Sequence, residues 1–304
     1  MAQMRNNWHD VHGLLLLNKP KGISSNLALQ KVRRIFNAKK AGHTGSLDPM
    51  ATGLLPCCFG DATKVAGLML NADKIYLAEC QIGTQTDTGD ATGSTTKNSD
   101  KTALTADEIQ QAIIQLTGNI KQIPPMYSAL HHNGKRLYQL AREGITVERQ
   151  ARDITIHDFK LLKIIDKDNK QFISFEINVS KGTYIRTLLE DFAKLCGTYA
   201  HMTKLHRTKL GILSGEMMSI ETLQQHDNPL QLLQPMDSAL IEYEKFQLTK
   251  NQVQTLIHGL SFNSKLPPAI YRLYDHNDKF IGLGQAHQNN EFRVKKLFLK
   301  SYQQ

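Results

Sequence analysis

Residues 173–180 alternate without a break. Ile173, Phe175, Ile177 and Val179 are apolar, and Ser174, Glu176, Asn178 and Ser180 separate them. A period of two puts every apolar side chain on one face, so this segment must lie in a sheet with that face against a core. Lys181-Gly182 turns the chain, and the period then becomes helical. Ile185, Leu188, Leu189, Phe192 and Cys196 face inward, and Gly197 closes the helix. Arg186 falls in the first turn, where the helix dipole disfavours a cation. Local rules are most often broken at functional sites. The ordinary alternative is a surface arginine whose side chain snorkels away.

A second segment, Gly42-His-Thr-Gly-Ser-Leu-Asp48-Pro-Met-Ala-Thr-Gly53, isolates one carboxylate among three glycines. Glycine lets backbone approach a ligand closely. Pro49 biases Asp48 towards an extended conformation, so the acid is presented from a loop beside His43. An isolated Asp-Pro turn without a role would read the same way locally. The spacing is neither a phosphate loop nor a dinucleotide fingerprint.

Other elements follow from period and capping. His12–Asn18 reads as a buried strand. Ser24 or Ser25 caps a helix with Ala28, Val32, Ile35 and Phe36 on one face. Leu54–Phe59 reads as a strand, and Gly60 begins a turn into a helix running to Leu70. Lys74–Ile82 is strand-like with Tyr76, Ala78, Cys80 and Ile82 on one face. Thr105 and Glu108 form a capping box for a helix with Ile109, Ala112, Ile113 and Leu116 inward, ended by Gly118. The polar stretch Thr84–Lys101 reads as a loop. Composition shifts across Gln224–Pro235, which places a boundary after about residue 240. The remaining sixty or so residues predict a short helix ending at Gly259 and strands near Ala269–Tyr274, Lys279–Ala286 and Phe292–Leu299.

The 37 basic against 28 acidic residues give a formal +9, which favours a polyanionic partner. The charge clusters at Lys31, Arg33, Arg34, Lys39 and Lys40, and again at Lys135, Arg136, Arg142, Arg149 and Arg152 beside His131 and His132. Either cluster alone is equally readable as a solvated helix face. Four cysteines without a Cys-x-x-Cys pair offer neither a disulfide framework nor a zinc site. No apolar run approaches a membrane span and no secretory signal is visible, so a cytoplasmic protein with reduced thiols is expected.

Six segments in order carry a resemblance: Asn18-Lys-Pro-Lys-Gly22, Gly42–Gly53, Gly60-Asp-Ala-Thr-Lys64, Thr86-Asp-Thr-Gly-Asp90, Leu137-Tyr-Gln-Leu-Ala-Arg-Glu-Gly144 and Lys181-Gly-Thr-Tyr-Ile-Arg-Thr-Leu188. Together they resemble the bacterial TruB-type tRNA pseudouridine synthases, over about residues 12–240. The resemblance implies an α+β fold with a mixed, largely antiparallel sheet, flanking helices and a central cleft. Residues 1–240 would be the catalytic domain and 241–304 a small β-rich, PUA-like RNA-binding domain. It implies isomerisation of the T-loop uridine (position 55) of tRNA to pseudouridine on a flipped-out base, without cofactor or metal. The expected partner is the tRNA T-arm, with no membrane, and a monomer is expected.

By the same resemblance Asp48 is the catalytic aspartate, acting as nucleophile on the sugar carbon or as a base on a sugar proton. Arg186 is the arginine that orients it. A neighbouring arginine would lower the carboxyl pKa by about 1–3 and keep it ionised for either role. Tyr76 stacks on the flipped base and shares in catalysis. Tyr184 and Leu205 line the base pocket, Asp90 is a second acid beside it, and His43 touches the flipped nucleotide. Lys19, Lys64 and a mobile flap over Met126–Arg152, with Tyr127 and His131, would contact the RNA. His206 departs from the family, which usually has arginine there, and this puts one phosphate contact in doubt. The alternatives are a guide-dependent relative, a non-catalytic tRNA-binding or tRNA-folding protein, and an Asp-nucleophile glycosidase. The last would need two flanking carboxylates.

Overall fold

The alternating strand finds a partner on each side. In the computed structural model, which describes residues 8–302, Lys170–Val179 lies between Lys74–Ile82 and Arg152–Lys167 and runs antiparallel to both. Among the described residues this sheet has eight strands. Their order is Gly13–Lys19, Thr52–Phe59, Ala200–Leu210, Lys74–Ile82, Lys170–Val179, Arg152–Lys167 and Gly118–Gln122, with Ala41–His43 paired to Thr52–Phe59. One pair is parallel, and there His206 stands opposite Thr52 and Arg207 opposite Gly53. The other pairings are antiparallel, so the sheet is mixed and largely antiparallel, as expected.

Helix Ile185–Leu195 covers the face that Ile173, Phe175, Ile177 and Val179 present; these four are fully buried with Leu188, Leu189 and Phe192. Phe175 meets Phe192 edge to face at 5.2 Å, a favoured aromatic geometry. Helix Ser25–Ile35 is capped by Ser24, whose hydroxyl accepts from the Leu27 N–H at 3.2 Å. Helix Ala106–Leu116 starts with the predicted Thr105–Glu108 capping box.

Three expectations change. The helix expected from Gly60 to Leu70 is a 3-10 turn, Gly60–Lys64, followed by a single α turn, Ala66–Met69. Asp61 and Lys64 pair across that turn at 2.7 Å. The polar stretch Thr84–Lys101 contains a short two-stranded ribbon, Thr84–Thr86 against Thr95–Asn98. The run Phe292–Leu299 is strand only over Glu291–Leu297 and ends in a helical turn, Leu299–Tyr302.

The C-terminal part is a five-stranded sheet in the order Glu244–Gln247, Ile270–Tyr274, Phe280–Ala286, Glu291–Leu297, Phe262–Asn263. Tyr271, Leu273, Ile281 and Phe292 form its own core under helix Lys250–Ile257. A further apolar cluster is shared between the two sheets: Leu14, Leu16, Leu54 and Leu210 from the large one pack with Leu283 and Phe298. No helix among the described residues is long and apolar enough to cross a membrane. All four cysteines are free and buried.

Candidate active site

Asp48 leaves the chain between two pinned neighbours. Leu47 is held by the buried Ser25 hydroxyl, which accepts from its N–H at 2.7 Å and donates to its carbonyl at 2.9 Å. The Pro49 carbonyl accepts from the Gly22 N–H at 2.7 Å and from Lys19 Nζ at 3.3 Å. The Asp48 carbonyl accepts from the Ala51 N–H at 3.0 Å. The loop is therefore fixed on both sides of the carboxylate, which stays 40% exposed at its side chain. Such a group is reachable yet immobile, as a reacting group must be.

Arg186 reaches this carboxylate from the first turn of helix Ile185–Leu195. Its Nε lies 3.0 Å from Asp48 Oδ2. Its remaining nitrogens donate to the Thr88 carbonyl and the Tyr127 carbonyl, each at 2.7 Å. The guanidinium is 5% exposed, and these partners offset the unfavourable dipole position. They also tie three segments to one side chain: the acid loop, the ribbon, and the root of the Met126–Arg152 segment.

Asp90 Oδ2 stands 3.9 Å from Arg186 Nη1. Its Oδ1 accepts from Thr88 Oγ1 at 2.9 Å, from the Thr92 N–H at 2.9 Å and from Thr92 Oγ1 at 2.5 Å. This buried acid thus locks the turn of the ribbon that carries the Thr88 carbonyl.

The electrostatics differ from the sequence expectation in one respect. Crowding by protein raises the Asp48 carboxyl above its usual value; Arg186 pulls it back, Asp90 pushes it up again, and Lys19 pulls it down. The net direction is upward, not the downward shift an arginine alone would give. Desolvation by the surrounding protein outweighs the ion pair.

Tyr76 is buried on Lys74–Ile82, opposite Ile177 on one side and Arg207 on the other. Leu205, also buried, stands opposite Ala78 on the next strand. Tyr184 is the residue before helix Ile185–Leu195, and its ring lies 4.9 Å under the Arg152 guanidinium. His43 ends the strand that enters the acid loop; burial first and Arg207 second push its pKa below the usual histidine value.

Lys19 and Lys64, expected to contact the RNA, each have partners within the protein. Lys19 is fully buried. Its ammonium donates to the carbonyls of Pro20 and Ile23 at 2.8 Å as well as Pro49, and burial, opposed by Asp48, lowers its pKa to about 8. It braces the acid loop through these three carbonyls. Lys64 pairs with Asp61 and faces the C-terminal segment, 5.7 Å above the Phe298 ring. His206 is pinned to Thr52 Oγ1 at 2.8 Å, and burial lowers its pKa.

Gln122 was not legible from sequence. Its buried side-chain amide accepts from the Tyr184 N–H at 2.8 Å and donates to the Tyr184 carbonyl at 3.1 Å, so it fixes the backbone two residues before Arg186. A cleft of about 980 Å3 flanks the site and shares Arg186 as a wall, with Thr88, Tyr127 and Glu190, but Asp48 does not line it. No group of three or more His, Cys, Asp or Glu among the described residues is arranged to hold a metal ion.

Comparison with known proteins gives this geometry a context. The fold matches that of a solved H/ACA ribonucleoprotein bound to a substrate RNA containing 2'-deoxyuridine, with a TM-score of 0.70 and 21% identity over 94% of this chain and 85% of that one. A Cbf5-Nop10-Gar1 complex matches with a TM-score of 0.71 and 23% identity over 95% and 85%. Residues 33–185 match the TruB family pseudouridylate synthase (N terminal domain), 186–241 the tRNA pseudouridylate synthase B C-terminal domain, and 245–298 Pseudouridine synthase II TruB, C-terminal. Proteins named tRNA pseudouridine synthase B are similar almost end to end. That of Hydrogenovibrio crunogenus is 45% identical over 96% of this chain and 95% of its own length. That of Neisseria meningitidis is 45% identical over 95% and 94%. The fold is thus that of a pseudouridine synthase. Within that class, the chain belongs to the TruB family of pseudouridylate synthases.

Proposed function

We propose that this enzyme converts the T-loop uridine of tRNA, position 55, to pseudouridine, with Asp48 as the reacting carboxylate and without a cofactor. The observation that carries the reading is the Asp48–Arg186 pair at 3.0 Å on a loop fixed at Leu47 and Pro49. The relatives named for tRNA support the substrate class. In the reaction the bond between the uracil ring nitrogen and the ribose carbon breaks, the base turns, and a bond forms from the ribose carbon to a ring carbon, whose proton leaves while the freed ring nitrogen takes one up. Asp48 either bonds transiently to the sugar or removes a sugar proton that later returns, so nothing is gained or lost overall. The base must first leave its stack, which costs a few kcal/mol. Tyr76, Tyr184 and Leu205 receive it, His43 meets the flipped nucleotide, and Asp90 holds the ribbon beside it.

The exposed His131, Lys135 and Arg136 contact the T-arm backbone. Residues 1–240 form the catalytic unit and 241–304 the small RNA-binding unit of a cytoplasmic monomer. The identity of 45% to proteins named tRNA pseudouridine synthase B, against 21–23% to the ribonucleoprotein structures, supports a guide-independent enzyme.

The test is carbodiimide-mapped primer extension on an unmodified tRNA transcript, with the pure protein and no added metal or nucleotide. A new stop at the T-loop uridine, absent with Asp48→Asn, is expected. No stop while tRNA remains bound would move the reading to a non-catalytic tRNA-binding protein.

A further inference from the structure

Arg207 is among the largest fully buried side chains, at 1% exposure, and no carboxylate pairs with it among the described residues. A buried charge without a counter-ion is costly unless its donors are well used. Two of its nitrogens are: Nε donates to the Leu54 carbonyl and Nη2 to the Gly45 carbonyl, each at 2.7 Å. These acceptors stand on either side of Asp48 in the chain, Gly45 in the acid loop before it and Leu54 in strand Thr52–Phe59 after it. We propose that Arg207 is a positioning residue for the reacting carboxylate, closing the acid loop at both ends from the strand beside it. This rests on the reading of Asp48 given above.

Three further observations support it. A side chain at Gly45 would put its Cβ 3.2 Å from Arg207 Nη1, and Gly45 has φ +65. At Gly53, φ +93, the Cβ would lie 2.4 Å from the Arg207 carbonyl. Two of the three glycines in the motif are therefore explained by close approach to this one residue. Arg207 also stands opposite Gly53 and Tyr76 in the sheet, so it links the loop to the strand that carries the tyrosine. Finally, it is the charge that acts on His43, after burial, to lower that ring's pKa.

The guanidinium fork matters because two carbonyls must be reached at once; an ammonium is a point charge. The full-length protein would be made as Arg207→Met, Arg207→Lys and Asp48→Asn. Single-turnover rate on tRNA, tRNA affinity, thermal midpoint and the NMR titration of the His43 ring would be measured for each. A misplacement of about 1 Å costs about 100-fold. Arg207→Met should therefore turn over about 100-fold more slowly with tRNA affinity unchanged, and its His43 should titrate at higher pH. Arg207→Lys keeps the charge and can reach only one carbonyl. It should hold His43 at the unsubstituted value yet lose about 10-fold in rate, a smaller displacement on the same scale. Buried lysines that donate to carbonyls already exist nearby, at Lys19 and Lys74, so this variant carries the test if Arg207→Met fails to fold. A rate within threefold of the unsubstituted protein in either folded variant overturns the proposal, as does a rate loss that follows tRNA affinity alone. Should Asp48→Asn itself remain active, the reading of Asp48 fails instead, and the two failures are told apart.

Discussion

At the scale of single residues, the site is a balance between desolvation and the charges around one carboxyl. Asp48 has its pKa raised by crowding, with Arg186 acting against the shift and Asp90 with it. In the proposed reaction Asp48 acts as the carboxylate, so rate is lost as pH falls through this raised value. The acid limb of the single-turnover profile should therefore lie above the ordinary aspartate range. Asp90→Asn removes a charge that raises Asp48, and its acid limb should move to lower pH; Arg186→Met should move it to higher pH. Measuring the limb by rapid quench with pre-bound tRNA checks both signs, and a shared direction of movement would refute the account. Lys19 gives a different kind of prediction. Because it is fully buried on three carbonyls, Lys19→Met should leave tRNA affinity unchanged. It should also cost about 1–3 kcal/mol, the penalty of leaving buried acceptors unpaired. Chemical denaturation and a filter-binding titration separate the two effects.

At the scale of elements, regularity decided what could be read from sequence. Lys74–Ile82 and Lys170–Val179 alternate cleanly and emerge as neighbours in the sheet. Arg152–Lys167 and Ala200–Leu210 escaped because their pairing shifts register at Ile156/Asp158 and Leu161/Lys163, and at Met202/Lys204 and Arg207/Lys209. Each shift resets the period that a pattern search depends on. The same cause hid Arg207, which sits at such a shift with no local signal of its burial. Gln122 was hidden for another reason: its partners are the backbone of Tyr184, 62 positions away, and backbone partners leave no trace in side-chain chemistry. Asp48 stood out as a lone acid among glycines and Arg186 as a cation at a helix start; the resemblance put them together, and they pair at 3.0 Å. The Met126–Arg152 segment offers the test at this scale. His131–His132 pair with Lys135–Arg136 across Asn133-Gly134, both at positive φ, as a tight hairpin turn requires. With basic side chains exposed on this hairpin, Lys135→Glu and Arg136→Glu should each weaken tRNA binding. Neutralising either with Gln should lower the slope of log affinity against log salt by about 1 per lost phosphate contact. Single-turnover rate at saturating enzyme should hold. An unchanged salt slope would remove the hairpin from the interface.

At the scale of the whole molecule, the C-terminal sheet is joined to the large sheet by core and by charge. Phe298 and Leu283 share an apolar cluster with Leu14, Leu16, Leu54 and Leu210. Asp61 accepts from the Ser301 N–H at 3.1 Å and pairs with Lys64 at 2.7 Å, and the Lys64 ammonium reaches the Leu297 carbonyl at 3.5 Å. The Gly60–Lys64 turn, part of the motif set that marks the family, therefore serves the junction. Phe298→Ala should cost about 3–5 kcal/mol, as large aromatic truncations in a core do, and the loss should appear in both sheets as one transition. The charged part of the junction has its own signature. Burial alone would raise the Asp61 carboxyl, but the Lys64 ammonium and the Ser301 N–H bring it below the usual carboxylate value, with Lys64 and His12 adding their charge. A depressed folded pKa means stability that is present above the unfolded value and lost as pH falls through the folded one. The junction should thus weaken only in strongly acidic solution, below the ordinary aspartate range. Asp61→Asn should lower the unfolding free energy at neutral pH and flatten its decline in acid. Denaturation curves at a series of pH values, followed by tryptophan emission and circular dichroism together, read both quantities. A parallel offset at every pH would mean that Asp61 contributes shape to the junction and no charge.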